Sequence, residues 1–195
     1  MRVLVACECS GRVRDAFIEK GHDALSCDIE PSEVGGPHYQ GDVRDILNEG
    51  WDLMVAHPPC TYLSRAGARW WKSPGRAELA DAAAEFAFLL RDAPIEKIAI
   101  ENPIGQLNKR WRYPDQTIQP HWFGHPFSKA TCLWLKNLPL LVPTRPLSEW
   151  TPLLPSNVGK GKRSGGKWHP GHTSSAKEAS RTFHGVAQAM AQQWG

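Results

Sequence analysis

The chain has no apolar run long enough to span a bilayer, no secretory leader pattern and no lipidation motif. It therefore reads as a cytoplasmic protein with no membrane partner. Its five cysteines are odd in number and lack paired CxxC spacing. That argues against both a disulfide framework and a structural zinc site. Cys7, Cys9, Cys27, Cys132, His169 and His172 show no metal-ligand spacing, so no metal is expected. The turn after the first apolar run carries a single glycine, Gly11, which excludes the GxGxxG cradle of a dinucleotide pyrophosphate. No internal repeat is present, and no charge of one sign dominates. The net charge is only +3, which is compatible with a nucleic-acid partner without demanding one.

What remains is an ordinary globular composition, 41% hydrophobic and 22% charged over 195 residues, enough for one domain spanning 1–195 with a sizeable core. Nine tryptophans are many, and several adjoin basic residues, as in Arg69-Trp70-Trp71-Lys72 and Lys109-Arg110-Trp111-Arg112. Such pairs suit stacking on nucleic-acid bases and equally suit surface packing.

Arg2–Ala6 is apolar enough for a strand buried on both faces, and residues 12–20 follow with helical spacing closed by Gly21. Residues 22–27 predict a second strand, Gly41-Asp42-Val43 opens a short segment, and Asp52–Ala56 predicts the next strand. Residues 76–91 are a strong helix, residues 96–100 a further strand, residues 131–135 another, and residues 181–194 a closing helix. Strands alternating with helices predict an α/β, doubly wound, mostly parallel sheet. Residues 156–175, rich in Gly, Lys and Ser, predict a basic flexible loop. It can clamp phosphates or simply lie solvated.

The strand exits carry the chemistry. After Ala56 the run stops at His57-Pro58-Pro59, a stiff extended turn that presents Cys60 at the carboxyl edge of the sheet, where open α/β folds bind ligands. Cys60 is a candidate nucleophile, or else a packed structural thiol. At the next strand exit stand Glu101-Asn102-Pro103, a candidate acid partner or a pair that satisfies loop backbone. Asp28, at the end of the second strand with Ile29 and the reserve acid Glu30, can accept from ribose hydroxyls or form a turn. Asp42 can accept from an adenine amine or cap the short helix after it. Taken together these residues suit an adenosine-type cofactor.

Pro58-Pro59-Cys60 and Glu101-Asn102-Pro103 resemble the catalytic motifs of DNA cytosine-5 methyltransferases, and the Ala6–Gly11 turn, Asp28 and Asp42 resemble that family's S-adenosylmethionine-binding motifs. The chain is most similar to the short bacteriophage proteins of this kind, which lack a large target-recognition domain. Residues 119–135 and 181–185 extend the resemblance over nearly the whole length. It implies a Rossmann-like S-adenosylmethionine methyltransferase fold, acting in the host cytoplasm if phage-encoded. It also implies catalytic Cys60, Glu101 and Asn102, with cofactor contacts at Cys7, Gly11, Asp28, Ile29, Asp42 and Pro58. Pro59, Lys129 and Arg181 would meet the substrate, which is double- or single-stranded DNA or a free cytosine nucleotide. Departures are visible. Thr61 stands where Gln usually follows the cysteine, Pro103 replaces the usual Val, Cys-Glu-Cys-Ser-Gly replaces Phe-x-Gly-x-Gly, and the Gln-Arg-x-Arg motif is missing. Lys129 or Arg181 is expected to substitute for that motif. Two other readings stay open: amino-methylation of a base by a Pro-Pro loop, and a non-catalytic DNA-binding or host-interaction protein that retains the fold.

Overall fold

The computed structural model describes residues 1–148 and 180–195; the expected basic loop at 156–175 lies outside them. Seven strands form one sheet: β1 (Arg2–Ala6), β2 (Asp23–Asp28), β3 (His38–Gln40), β4 (Leu53–Ala56), β5 (Lys97–Pro103), β6 (Gln116–Ile118) and β7 (Thr131–Lys136). Their order is β3-β2-β1-β4-β5-β7-β6. β1 pairs in parallel with both β2 and β4, so the order reverses beside it. That is the switch point at which a doubly wound sheet opens a crevice.

Alternation along β1 explains its uninterrupted apolar sequence. Val3 and Val5 pack with Val13 and Phe17 of α1 (Arg12–Glu19) on one face. Leu4 and Ala6 pack with Ala80, Ala84, Ala87 and Leu90 of α2 (Arg76–Arg91) on the other. A short α3 (Leu107–Arg110) follows β5. The closing helix α4 (His184–Trp194) lays Val186, Met190 and Trp194 on the α1 side. The result is an α/β/α sandwich in which each fully buried side chain such as Phe17 or Met190 contributes about 1.5–3 kcal/mol.

Two element bounds differ from the sequence expectations, and the direction of one strand was left open by them. β7 runs antiparallel to both neighbours, because the β6–β7 connection contains only the tight turn Pro120–Trp122 and no crossover helix. β5 does not end at Ile100. It continues through Glu101, Asn102 and Pro103, which pair with Leu133, Cys132 and Thr131 of β7. The last helix begins at His184 rather than at residue 181.

Arg14 is 1% exposed, a charge within the α1 layer. It is held by Asp15 Oδ1 at 2.8 Å and Ser26 Oγ at 3.1 Å. Gly11 exists for this packing. Its φ is 73°, and a Cβ there would meet Arg14 Nη2 at 2.5 Å and Val34 Cγ2 at 2.6 Å.

Candidate functional site

The exits of β1, β2, β4 and β5 open into one cleft of about 800 Å³ at the switch point. Cys7, Asp28, Ile29, Asp42, Pro58, Pro59, Cys60, Glu101, Asn102, Lys129 and Arg181 all line it. Gly11 is not among the residues that line the cleft; it sits beneath Arg14 and Val34 as the left-handed cap of α1.

The β4 exit is rigid for reasons visible in the sequence. Pro58 and Pro59 restrict the backbone, and Asn102 Nδ2 donates to the Pro58 carbonyl at 2.8 Å. Beyond Cys60, Leu63 N–H and Ser64 N–H donate back to the Cys60 carbonyl at 3.1 and 2.8 Å. The segment is then strapped to the β5 exit. Arg65 N–H donates to Ile104 O at 2.9 Å, and Gln106 N–H donates to Leu63 O at 2.7 Å. At this crossing only glycine fits, since a Cβ on Gly105 would lie 1.9 Å from the Leu63 carbonyl oxygen. Cys60 and Asn102 are therefore fixed relative to each other by neighbouring strands.

Electrostatics centre on a pair that the strand-exit reading missed. His57 Nδ1 donates to Glu101 Oε2 at 3.0 Å, with the side chains 12% and 14% exposed. Burial alone would lower the imidazole's pKa, but the Glu101 bond and charge outweigh it and raise the value above 6.5. For Glu101 burial alone would raise the carboxyl, and the His57 bond and charge bring it below 4.5. The two residues form a buried hydrogen-bonded pair in which each favours the charged form of the other. His57 Nε2 and Asn102 Oδ1 are buried without a partner among the described residues, and both residues line the cleft. The sequence signal was the His57-Pro58 step itself: the residue before a proline at a strand exit is held extended.

Burial and the Glu101 charge push the Cys60 thiol above its ordinary value, while the Lys129 ammonium pulls it back. Lys129 Nζ donates to the Arg181 carbonyl at 3.4 Å, and the Arg181 guanidinium bridges to Glu33 at 2.5 Å. Cys7 has a left-handed φ of 59° and a thiol raised strongly by burial and then by Asp28. Cys27 is pushed up to about 12, by burial and then by Asp28, and both thiols line the cleft.

On the β1–β2 side, Glu8 occupies the start of α1. It accepts from Val13 N–H at 2.9 Å and Arg14 N–H at 3.3 Å. A carboxylate already fills the place where a helix N-terminus would take a phosphate. Asp28 Oδ1 accepts from Glu30 N–H at 3.0 Å, a turn that still leaves the carboxylate on the cleft wall. Ile29 beside it is 74% exposed, an apolar side chain left open at the mouth. Asp42 caps the turn Val43–Asp45 through Arg44 N–H at 2.9 Å. Its carboxyl is held below the usual range by the Arg44 guanidinium and backbone bonds.

Among the described residues no group of three or more His, Cys, Asp and Glu converges as a metal site, and no helix is long and apolar enough to cross a membrane. No protein-family model matches this chain, and no curated protein matches it.

Proposed function

We propose that this protein transfers a methyl group from S-adenosylmethionine to carbon 5 of cytosine in DNA through a covalent Cys60 adduct. The observation that carries the reading is the convergence of Cys60 with Glu101 and Asn102 in the same cleft as Asp28, Ile29 and Asp42. Two further features support a methyl donor of nucleoside type. Glu8 blocks the phosphate position at α1, and the open Ile29 beside the Asp28 carboxylate offers an apolar ring contact next to a ribose acceptor. The residues therefore fit the group, which when bound supplies an electrophilic methyl on a sulfonium.

The chain's own residues then have defined tasks. Asp28 accepts from ribose hydroxyls, and Ile29, Val43 and Pro58 form apolar wall. Cys60, as thiolate, adds to ring carbon 6 and makes carbon 5 nucleophilic. Glu101 holds the ring-nitrogen 3 edge as charge develops there. Asn102 keeps the Pro58-Pro59 turn in register through its 2.8 Å bond. Once carbon 5 has lost its proton to a base, Cys60 is expelled. A base within a duplex must first leave the stack.

The test is incubation with DNA and labelled S-adenosylmethionine, followed by mass spectrometry of the modified nucleoside. Methyl on carbon 5, abolished in Cys60→Ser, supports the reading. Methyl on the exocyclic amine that survives Cys60→Ser replaces it with amino-methylation. Absence of cofactor binding by calorimetry leaves a non-catalytic DNA-binding or host-interaction protein.

A further inference from the structure

The resemblance assigns Glu101 its task but not what holds its carboxylate; Lys129 or Arg181 was expected only to stand in for the missing Gln-Arg-x-Arg segment, which helps hold the base. Arg181 is paired with Glu33, and Lys129 Nζ, which donates to the Arg181 carbonyl, acts on Glu101 through its charge without a recorded bond to it. The group recorded on Glu101 is His57, at 3.0 Å on Oε2.

We propose that His57 is the positioning residue for Glu101: it fixes the carboxylate and stores the proton that Glu101 passes to ring nitrogen 3 as Cys60 adds to carbon 6. The proposal rests on the cytosine reading above. Three observations carry it. His57 sits on the Pro58-Pro59-Cys60 turn while Glu101 sits in β5, so one bond locks nucleophile and acid together across adjacent strands. The pair is almost wholly buried, so its proton exchanges chiefly through the cleft. His57 Nε2 is buried with no partner among the described residues, although its residue lines the cleft.

The charges facing His57 come from every neighbouring element. Glu101 approaches from β5, Glu8 from the turn after β1, and Lys129 from the segment before β7. Two carboxylates against one ammonium favour the imidazolium.

The step balances. The Cys60 thiol, raised above its ordinary value, gives its proton to solvent and its sulfur then forms the bond to carbon 6. The proton leaves His57 Nδ1 for the Glu101 carboxylate, and the carboxylate delivers it to nitrogen 3. His57 is left neutral with Nε2 protonated. When Cys60 departs, nitrogen 3 returns the proton to the pair. Glu101 alone, held ionised, would lack a proton to give; the pair holds one.

The test compares wild type with His57→Asn, whose amide can donate from nearly the place of Nδ1 but stores no proton, and with His57→Gln as a second neutral donor. Circular dichroism verifies folding of each. On labelled protein, the His57 Cε1 resonance of wild type is expected to titrate above 6.5, and below it in Glu101→Gln. In single-turnover methyl transfer both neutral variants should lose about 10²–10⁴-fold in rate. They should also lose the alkaline limb that wild type shows as His57 gives up its proton. A wild-type His57 that titrates at or below 6.5, or neutral variants with unchanged rate and pH profile, overturns the proposal. If wild type transfers no methyl to cytosine, delivery to nitrogen 3 falls with the cytosine reading. The titration then decides separately whether the pair stands.

Discussion

Single residues set the geometry of the cleft more than its size does. Asn102 is 1% exposed and ties the Pro58 carbonyl to β5. Asn102→Ala leaves that buried acceptor unmet and should cost about 1–3 kcal/mol in chemical denaturation. The His57–Glu101 pair gives stability a defined pH dependence. His57 is raised in the fold, so its contribution is complete below about 6.5 and is lost as pH rises through the higher folded value. Glu101 is lowered, so its contribution is present above about 4.5 and is lost as pH falls through the lower folded value. The stability gap between wild type and His57→Asn, measured by thermal unfolding, should therefore be widest between about 4.5 and 6.5 and shrink on either side. On the ribose reading, Asp28→Ala should weaken S-adenosylmethionine binding about 10-fold or more by calorimetry, the loss of a bond to a charged acceptor.

At the scale of elements, the strand exits do the positioning and the segments after them meet the partner. Gly105→Ala forces a Cβ against the Leu63 carbonyl where β4 and β5 exits cross, and it should destabilise by about 1–3 kcal/mol or more. Residues 61–76 carry Arg65, Arg69, Lys72 and Arg76 and no carboxylate, beginning at the rim of the cleft with Thr61 and Ser64. Trp70 is 52% exposed with the Arg69 guanidinium 5.1 Å over its ring. If this segment meets DNA, Arg69→Ala with Lys72→Ala should lower affinity for a labelled single strand and reduce the slope of log affinity against log salt by about 0.7 per cation. An unchanged slope in fluorescence anisotropy would place the DNA contact elsewhere.

Across the whole molecule, local patterns made the sandwich readable: apolar β1 and β4, alanine-rich α2 with its bounds at Arg76 and Arg91, and the period of four in α4. The short edge strand β3 and the three-residue β6 carry too little periodicity to announce themselves, and the reversal of β7 depends on pairing between distant segments. The cleft was legible wherever a strand exit carries a group able to do chemistry, as for Cys60, Glu101 and Asp28. His57 and Glu8 were not, because each gains its role from a partner elsewhere in the chain: Glu101 in one case, the α1 amides in the other. For Gly11 the sequence could not separate a glycine that packs on Arg14 from one that meets a ligand.

The most direct measurement is single-turnover reaction of wild type and Cys60→Ser with cytosine-containing DNA and labelled S-adenosylmethionine, read by mass spectrometry of nucleosides and of the intact protein–DNA product. A covalent path through Cys60 predicts 5-methylcytosine from wild type, none from Cys60→Ser, and a protein–DNA adduct trapped at Cys60 when the cytosine carries fluorine at carbon 5. Cofactor binding with no adduct, or methylation that persists in Cys60→Ser, would contradict it.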